Sequence, residues 1–317
     1  MIRWLLEDDQ PAVQYRALVD LQGRREEDPL VRRARRRIPR VGWAHDQLRQ
    51  QGPDGFWEAR APRNLRRWID FLYYPKYLST NWRALVLSDW GLDARHPQIR
   101  RLVNTIFEYK LRLGSPYNFF HEEACVSANT ARMLTRFGYA DDGRVRKLYD
   151  WLIEDQRADG GWNCSQGTPG TLDVWEPLAA FAALPKAKRS PRVTAAVSRG
   201  AEFYLARRLF REGAPYAPWF RLHYPNHYYY DILVGLDLLT RLGYGGDPRL
   251  RPALRRLEDK RRPDGTWCID RAHPDVSGPK AAQYRKGVTP LVIERPGAPS
   301  KWITLKAMSV LRRVAEG

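Results

Sequence analysis

The sequence has few cysteines, few methionines and few acidic residues, and it lacks a long apolar run. There are 3 cysteines and 3 methionines in 317 residues, and 36 acidic residues stand against 54 lysines and arginines. Cysteines this few and scattered do not form a disulfide framework, so we expect reduced thiols. No apolar run could span a bilayer, and Met1-Ile2-Arg3-Trp4 does not begin a signal peptide. These absences predict a cytoplasmic protein.

Common catalytic motifs are also absent. The sequence has no P-loop, dinucleotide-binding fingerprint, nucleophile elbow or HExxH motif. It is nevertheless not a disordered chain, because 43% of its residues are hydrophobic and 12% are aromatic. No linker or charge block divides it, so we expect a single domain over residues 1–317.

A formal net charge of +18 is the most unusual property of the composition. Such a charge attracts nucleic acid, an anionic membrane surface or a phosphorylated small molecule. The simpler interpretation is that arginines cover the solvent faces of helices, as in the runs 32–37 and 249–256. Charge alone therefore selects no function.

A short phrase, Asp-Gly-x-Trp, occurs three times at equal spacing. Its copies are Asp54-Gly55-Phe56-Trp57, Asp159-Gly160-Gly161-Trp162 and Asp264-Gly265-Thr266-Trp267, so successive tryptophans are 105 residues apart. Equal spacing is the signature of an internal repeat. Asp-Gly favours a turn, and a glutamine three residues before it in two copies could hydrogen-bond the ends of neighbouring helices.

Two kinds of helix are predicted to alternate along the chain. The first kind is rich in arginine and begins where a capping residue precedes proline or glycine. Its polarity places these helices on the outside. Five such starts follow Asp28, His96, Asp142, Ser190 and Asp247.

The second kind of helix is apolar on most sides, which indicates burial among other helices. Tyr15-Arg16-Ala17-Leu18 and Trp82-Arg83-Ala84-Leu85 match almost letter for letter. One inner and one outer helix then make a unit of about half the repeat interval, and six units could close on themselves. The six inner helices align on a register that begins at Tyr15, Trp82, Cys125, Trp175, Tyr230 and Trp302.

The turns with Gln-x-x-Asp-Gly-x-Trp resemble the QW motifs of the terpenoid cyclase and protein prenyltransferase superfamily, in particular those of squalene-hopene-cyclase-like proteins. The resemblance covers about residues 10–315. It implies an all-α fold, an α/α toroid of about six inner and five to six outer helices around an apolar cavity. It does not by itself imply an activity.

In such a toroid the first turns of the inner helices point to one end of the cavity. The common register therefore predicts a ring of substrate-binding aromatic residues, which could stabilise carbocations or hold an isoprenoid chain. Large aromatic residues that simply fill the middle of the toroid are an equally good interpretation. The predicted ring consists of Tyr15, Trp82, Trp175, Tyr230 and Trp302, with Cys125 in the sixth place.

Three acids beside this ring are candidate catalytic residues: Asp173, Glu176 and Asp231. The resembled cyclases protonate an alkene with the middle acid of a D-x-D-D motif at the start of an inner helix. Here Asp173-Val174-Trp175-Glu176 stands at the comparable place, with tryptophan in the position of the proton donor. Glu176 or Asp231 could replace that donor if burial raised its pKa. The alternative is that each is a helix-terminal carboxylate.

Zinc is the cofactor that the sequence could hold. The resembled prenyltransferases bind zinc with an Asp-x-Cys pair and a later histidine, and this sequence has no Asp-x-Cys. Cys125, Cys164 and His227 form a looser set that the toroid could bring together, with His121 one helical turn before Cys125. Chance spacing among three cysteines and six histidines explains the same set.

These features favour a terpene-cyclase-like or prenyltransferase-like enzyme for an isoprenoid or other apolar substrate, with a diphosphate held by Arg16 and Arg83. The aromatic run from Tyr216 to Tyr230 could cover the cavity mouth, contact a membrane peripherally or pack as core. The alternative function is a non-catalytic helical-repeat module for nucleic acid or an acidic protein partner. Arginines on the ring register would indicate an anionic substrate, whereas a continuous outer stripe would indicate a polyanion.

Overall fold

The computed structural model describes residues 1–57, 79–109, 123–165, 167–211, 213–227, 229–271 and 293–317. Within these ranges the chain is helical and contains no β-strand, which confirms the all-α class. His121 lies outside the described residues. No helix in the described part of the chain is long and apolar enough to cross a membrane.

The helices follow one another with short connections. In chain order they are α1 (Ile2–Leu5), α2 (Pro11–Arg16), α3 (Pro29–Arg37), α4 (Gly42–Arg49), α5 (Thr80–Asp89), α6 (Pro97–Tyr109), α7 (Ala124–Leu134), α8 (Gly143–Glu154), α9 (Glu176–Ala183), α10 (Pro191–Ala206), α11 (Ile232–Arg241), α12 (Arg251–Glu258) and α13 (Lys301–Glu316). A π-helical turn, Ala17–Leu21, continues α2, and another, Thr135–Tyr139, continues α7.

The arginine-rich helices begin where the sequence predicts. The side chains of Asp28, Asp142 and Ser190 accept hydrogen bonds from backbone N–H groups in the first turns of α3, α8 and α10. Asp247 caps a short 3-10 turn, Pro248–Leu250, that leads into α12. Because a cap satisfies otherwise unpaired N–H groups, these starts are fixed locally by sequence.

These helices also expose their charged faces, as the simpler interpretation of the net charge expects. On α3, Val31 and Ala34 are buried while the arginines between and after them face solvent. The alternation follows the helical period, so each arginine-rich helix buries one apolar stripe. Exposed arginines of α3 and α12 are Arg32, Arg33, Arg36, Arg251, Arg255 and Arg256.

The apolar helices pack against one another in chain order. α7 packs against α5 and α9, α9 packs against α11, and α11 packs against α13. The last helix also packs against α2 and the turn that follows it. Lys301, at the start of α13, binds the carboxylates of Glu7 and Asp9 at 2.8 and 2.6 Å. The end of the described chain is thus attached to its beginning.

The three Asp-Gly-x-Trp turns have the same geometry. The indole N–H groups of Trp57, Trp162 and Trp267 each donate to a carbonyl ten residues earlier, at 2.7, 2.8 and 2.8 Å. The glycine of each turn has a positive φ, between 84° and 90°, a conformation that glycine adopts without steric cost. The repeated sequence phrase therefore forms the same turn at all three places.

The glutamines before the turns join neighbouring helices, as expected. Gln51 donates to the carbonyls of Gly55 and Gln98, and Gln156 donates to those of Gly160 and Ala196. Gln98 lies in α6 and Ala196 lies in α10, so one amide group fixes both a turn and an adjacent helix.

Candidate functional site

A cavity of about 300 Å³ lies among the apolar helices. Residues of α5, α7, α9, α11 and α13 line it, together with residues of α2 and of the turn that follows. One part of its wall is apolar and includes the rings of Trp175, Tyr224 and Trp302 and the side chains of Leu233 and Leu305. Its size falls at the lower end of the range for small-molecule sites.

The other part of the wall is charged. Five cationic side chains and three carboxylates contribute to it, an excess of two positive charges. Most of the charged residues lie in the later halves of the helices or in the turns that follow them, and Lys306 lies in the first half of α13. Trp175 and Trp302 lie at helix starts. The cations are Arg16, Arg132, Arg136, Arg241 and Lys306, and the acids are Asp20, Asp89 and Asp237.

Asp237 is the most heavily paired acid of the cavity. Its carboxylate lies 2.8 Å from Arg241, 2.7 Å from Lys306 and 2.6 Å from Arg313. Burial opposes ionisation, but these cations hold the pKa of Asp237 well below its usual range. Asp20 contacts Arg241 as well, at 3.5 Å, and Asp89 pairs with Arg136.

The cations crowd one another. Burial, with neighbouring arginines adding to it and Asp89 opposing it, lowers the pKa of Arg136 to about 10. Burial likewise lowers the pKa of Lys306 to about 8, with Arg241 adding to the effect and Asp237 opposing it. The pKa of Arg241 shifts the other way, because Asp237 raises it.

Two cavity cations have no carboxylate partner among the described residues. Arg16 donates from Nε to the carbonyl of Asp89 at 3.1 Å. Arg132 donates to the carbonyl of Asn226 at 3.5 Å, and its guanidinium lies 5.0 Å from the ring centroid of Trp175. The Nε of Arg132 is buried without an acceptor in the described part of the chain.

The predicted aromatic ring is only partly assembled at this cavity. Trp175 and Trp302 line it, whereas Tyr15, Trp82 and Tyr230 do not. The alignment fails because the register drifts against the helix starts: Tyr15 lies near the end of α2, while Tyr230 precedes α11. Other residues of those helices therefore line the cavity.

The residues outside the cavity have structural contacts of their own. Tyr15 donates to Glu26 at 2.6 Å, and Tyr230 donates to the carbonyl of Leu209 at 2.8 Å. The Trp82 ring lies 5.5 Å from that of His227. Cys125, the sixth member of the register, does not line the cavity either.

The two predicted diphosphate-binding arginines are separated. Arg16 lines the cavity, but Arg83 does not. The Arg83 guanidinium instead binds the side-chain oxygens of Gln47 and Gln50, at the end of α4, and lies 5.9 Å from the Trp57 ring centroid. It thus supports the first Asp-Gly-x-Trp turn.

The three candidate acids differ in their surroundings. Asp231 caps α11 by accepting from the N–H of Val234 at 2.9 Å, and its other oxygen lies 2.7 Å from Nδ1 of His223. Asp173 accepts from the indole N–H of Trp219 at 2.8 Å. Both carboxylates are occupied by neighbours, which matches the helix-terminal interpretation for Asp231.

Glu176 is the exception. It is fully buried, and neither carboxyl oxygen has a hydrogen-bond partner among the described residues. Burial raises the pKa of Glu176 well above its usual range, Cys164 adds to the rise and Arg132 opposes it. Burial of this kind favours the uncharged, protonated form of a carboxyl. None of the three acids lines the cavity, although Trp175, next to Glu176, does.

Two members of the predicted metal set meet. The Sγ atoms of Cys125 and Cys164 are 2.9 Å apart. Their contact lowers the pKa of Cys164, and the same contact together with burial raises that of Cys125. The third member, His227, lies beside Trp82, and burial lowers its pKa to about 3. The described ranges contain no group of three or more His, Cys, Asp or Glu side chains suited to a metal ion.

The aromatic run from Tyr216 to Tyr230 packs mainly as core over its described residues. Trp219, Tyr224 and Tyr230 are buried, whereas Tyr216 is 55% exposed. Peripheral membrane contact through this run stays a prediction.

Most of the charged cavity residues were missed by reasoning from sequence. Arg132, Arg136, Asp237 and Lys306 stand inside otherwise apolar helices, which was the available signal. Their partners are distant in sequence, 47 residues for Arg136 with Asp89 and 69 for Lys306 with Asp237, so spacing did not reveal the cluster.

Comparison with protein-family models and with curated proteins found no match. Among solved structures, the chain is similar to a protein from Actinoplanes, with 18% sequence identity and a TM-score of 0.44. That similarity covers 96% of this chain and 89% of the other.

Proposed function

We propose that the chain is an α/α toroid that acts on an isoprenoid or similarly apolar substrate in its central cavity, as a terpene-cyclase-like or prenyltransferase-like enzyme. The toroid is supported by the succession of contacts from α5 through α13, by the contact of α13 with α2 and by the bond from Arg16 to Asp89, which links α2 to α5. Each inner helix then has two inner neighbours.

The observation that carries the proposal is the apolar part of the cavity wall. Trp175 and Trp302 present large aromatic surfaces there, and both come from the helix starts that the repeat pattern selects. Aromatic walls hold apolar chains and stabilise cationic intermediates. The other predicted residues would not touch the substrate but would support the helices that carry the wall: Tyr15, Trp82, Tyr230 and Arg83.

Glu176 is the proposed acid of this enzyme: it does not itself line the cavity, but it directly follows Trp175, which does, and its carboxyl would act on the substrate beside that ring. Burial raises the pKa of this carboxyl well above the usual range, which favours the protonated state from which an acid can protonate a substrate alkene. The proton passes from the carboxyl to one alkene carbon, leaving a carboxylate and a carbocation; loss of a proton from the product cation restores the balance. This chemistry favours the cyclase-like reaction, and Asp173 and Asp231 then serve as structural carboxylates.

The test is product analysis by gas chromatography and mass spectrometry after incubation with linear isoprenoids of several chain lengths. We expect cyclised product from the native protein, a loss of roughly a hundredfold or more in Glu176→Gln, and little change in Asp46→Asn, a surface acid. Circular dichroism establishes that each variant is folded. Conversion that persists in Glu176→Gln would contradict the role of Glu176 as the acid. No conversion of any isoprenoid would contradict the proposal that the protein is an enzyme of this class.

A second candidate function is favoured by the exposed arginines of α3 and α12. The described residues hold no ion pair for Arg32, Arg33 or Arg36, so these side chains remain available to a polyanion. Fluorescence anisotropy with a duplex oligonucleotide at increasing salt concentrations tests this function. Steeply salt-dependent binding that Arg32→Gln and Arg36→Gln weaken would support it, and no binding at low salt would contradict it.

A further inference from the structure

We propose that the charged part of the cavity binds a compact oxoanion with two negative charges, of the phosphate class, held chiefly by Arg16 and Arg132. The inference rests on the proposed function in so far as this anion is the polar end of the same substrate. The chemistry is shared by a free phosphate ion, so the experiment below separates the two sources.

The charge balance of the cavity is the first argument. Five cations face three carboxylates, and all three carboxylates already pair with Arg136, Arg241 or Lys306. The excess of two positive charges therefore belongs to the cations without a carboxylate partner, Arg16 and Arg132. Positive charge in a confined site is costly unless a counterion balances it. A dianion supplies the required charge.

The donor geometry is the second argument. A guanidinium presents five N–H donors in a plane, which suits the oxygens of a phosphate group. Arg132 is 4% exposed, and one carbonyl at 3.5 Å is its hydrogen-bond acceptor among the described residues. Arg16 uses its Nε on the Asp89 carbonyl, and no described carboxylate occupies its terminal nitrogens. Both arginines thus keep donors for a ligand.

Access is the third argument. The side chains of Arg136, Arg241 and Lys306 are 27%, 31% and 23% exposed, although they lie among the inner helices. An ion in the cavity can therefore reach a cluster that is already positive. The nearby acids, Asp20 and Asp237, discriminate against anions that cannot compete with them for these cations.

The wall composition also predicts how a larger ligand lies. Trp175, Leu233 and Trp302 share the cavity with the charged cluster, so an apolar tail attached to the anion would pack against them. Arg132 stands at the junction, because its guanidinium lies over the Trp175 ring. A phosphate monoester of a short apolar alcohol fits both parts of the wall.

Isothermal titration calorimetry with inorganic phosphate and with sulfate tests the site. We expect saturable binding of one ion per chain, and roughly tenfold to a hundredfold weaker binding in Arg132→Gln and in Arg16→Gln. Arg16 is only half-buried, so its variant keeps the test decisive if Arg132→Gln does not fold. The matched control is Arg192→Gln, which removes the same charge from a surface ion pair and should bind like the native protein.

A variant with the opposite expected sign strengthens the test. Asp20→Asn removes a cavity carboxylate while Arg241 keeps its contact with Asp237, so sulfate should bind several-fold more tightly than to the native protein. Absence of saturable binding would overturn the proposal. So would binding that is equal in all arginine variants, because this would mean an adventitious ion only.

Titration with a short prenyl monophosphate then identifies the source of the anion. Tighter binding than inorganic phosphate, lost in Trp302→Ala, assigns the anion to an amphiphilic substrate; weaker binding assigns the site to free phosphate. Arginine-dependent phosphate binding without conversion of any isoprenoid would support this anion site and contradict the proposed function. Isoprenoid conversion that is unchanged in Arg16→Gln and Arg132→Gln would support the proposed function and contradict this anion site.

Discussion

Glu176 differs from two other acids in the interior of the described chain. The carboxylate of Asp237 is stabilised by three cations. Asp231 accepts from the N–H of Val234 at the start of α11 and lies against His223. Glu176 has neither kind of partner among the described residues, and burial raises its pKa well above the usual range, whereas cations hold that of Asp237 well below it. The surroundings of a carboxyl thus shift its pKa in either direction.

The pKa of Glu176 predicts a pH dependence of folding. A carboxyl with a raised pKa in the folded state contributes most stability below the unfolded value of about 4, and that contribution is lost as the pH rises towards the folded pKa. Each unit of the rise is worth about 1.4 kcal/mol. We therefore expect Glu176→Gln, which mimics the neutral acid, to be more stable than the native protein at neutral pH.

Urea denaturation from pH 5 to pH 8 measures this effect. The free energy of unfolding of the native protein should fall relative to that of Glu176→Gln as the pH rises. A constant difference between the two proteins would show that the carboxyl is ordinary. Asp46→Asn, at an exposed site, is the control.

Cys125 and Cys164 form a pair whose contact predicts a reaction. Their Sγ atoms are already 2.9 Å apart, and the lowered pKa of Cys164 favours a thiolate there. A small organic disulfide should oxidise the pair: an S–S bond forms between the cysteines, the S–S bond of the reagent breaks, and the two thiol protons pass to the reagent sulfurs to give two thiols.

Peptide mass spectrometry after alkylation detects the product. We expect a cross-linked peptide containing both cysteines, with a mass lower by two hydrogen atoms, and none in Cys164→Ser. A stable mixed disulfide on Cys164 in the native protein would contradict the contact. The predicted metal site at Cys125, Cys164 and His227 stays a prediction, which elemental analysis of the reduced protein can address.

The turns between helices show what local sequence can specify. Capping residues, Asp-Gly dipeptides and the glutamines before them act within a few residues of the chain, and the helix starts and turn bonds confirm these predictions. The register of the inner helices is different, because whether Tyr15 or Tyr230 faces the cavity depends on where each residue stands relative to the start of its helix. Sequence alignment alone could not supply that orientation.

The central turn provides a prediction for these elements. Gly160 has a φ of 87°, and a Cβ built there would lie 2.5 Å from the carbonyl oxygen of Arg199 in α10. Gly160→Ala should therefore cost backbone strain of about 1 kcal/mol together with a displacement of α10 from the turn.

The matched control is Gly167→Ala. Gly167 also has a positive φ, 69°, but a Cβ there meets nothing within 4 Å. Thermal unfolding should show Gly160→Ala to be the less stable variant by more than about 1 kcal/mol. Equal losses would mean that the turn does not press against α10.

Across the whole molecule, the repeats concentrate charge at two places. Outer helices direct arginines to solvent, which accounts for much of the net charge of +18. Inner helices bring Arg16, Arg132 and Lys306 into one cavity with fewer acids than cations. The sequence predicted the first distribution from helical periodicity, whereas the second depends on contacts between helices distant in sequence.

Ion pairs also connect the extremes of the described chain. Lys301 binds Glu7 and Asp9, and Arg241 reaches Asp20. Wall residues from α2, α7 and α13 can then meet the same ion. An anion at the centre therefore tests the arrangement of the helices and the chemistry of the site together.

Crystals of the native protein grown with selenate provide the most direct measurement. Selenate is a stable analogue of a divalent oxoanion, and its selenium gives an anomalous signal. We predict one strong peak inside the cavity, within hydrogen-bonding distance of Arg16 and Arg132, and its loss in Arg132→Gln. Peaks confined to the outer arginines of α3 and α12, with an empty cavity, would contradict the account.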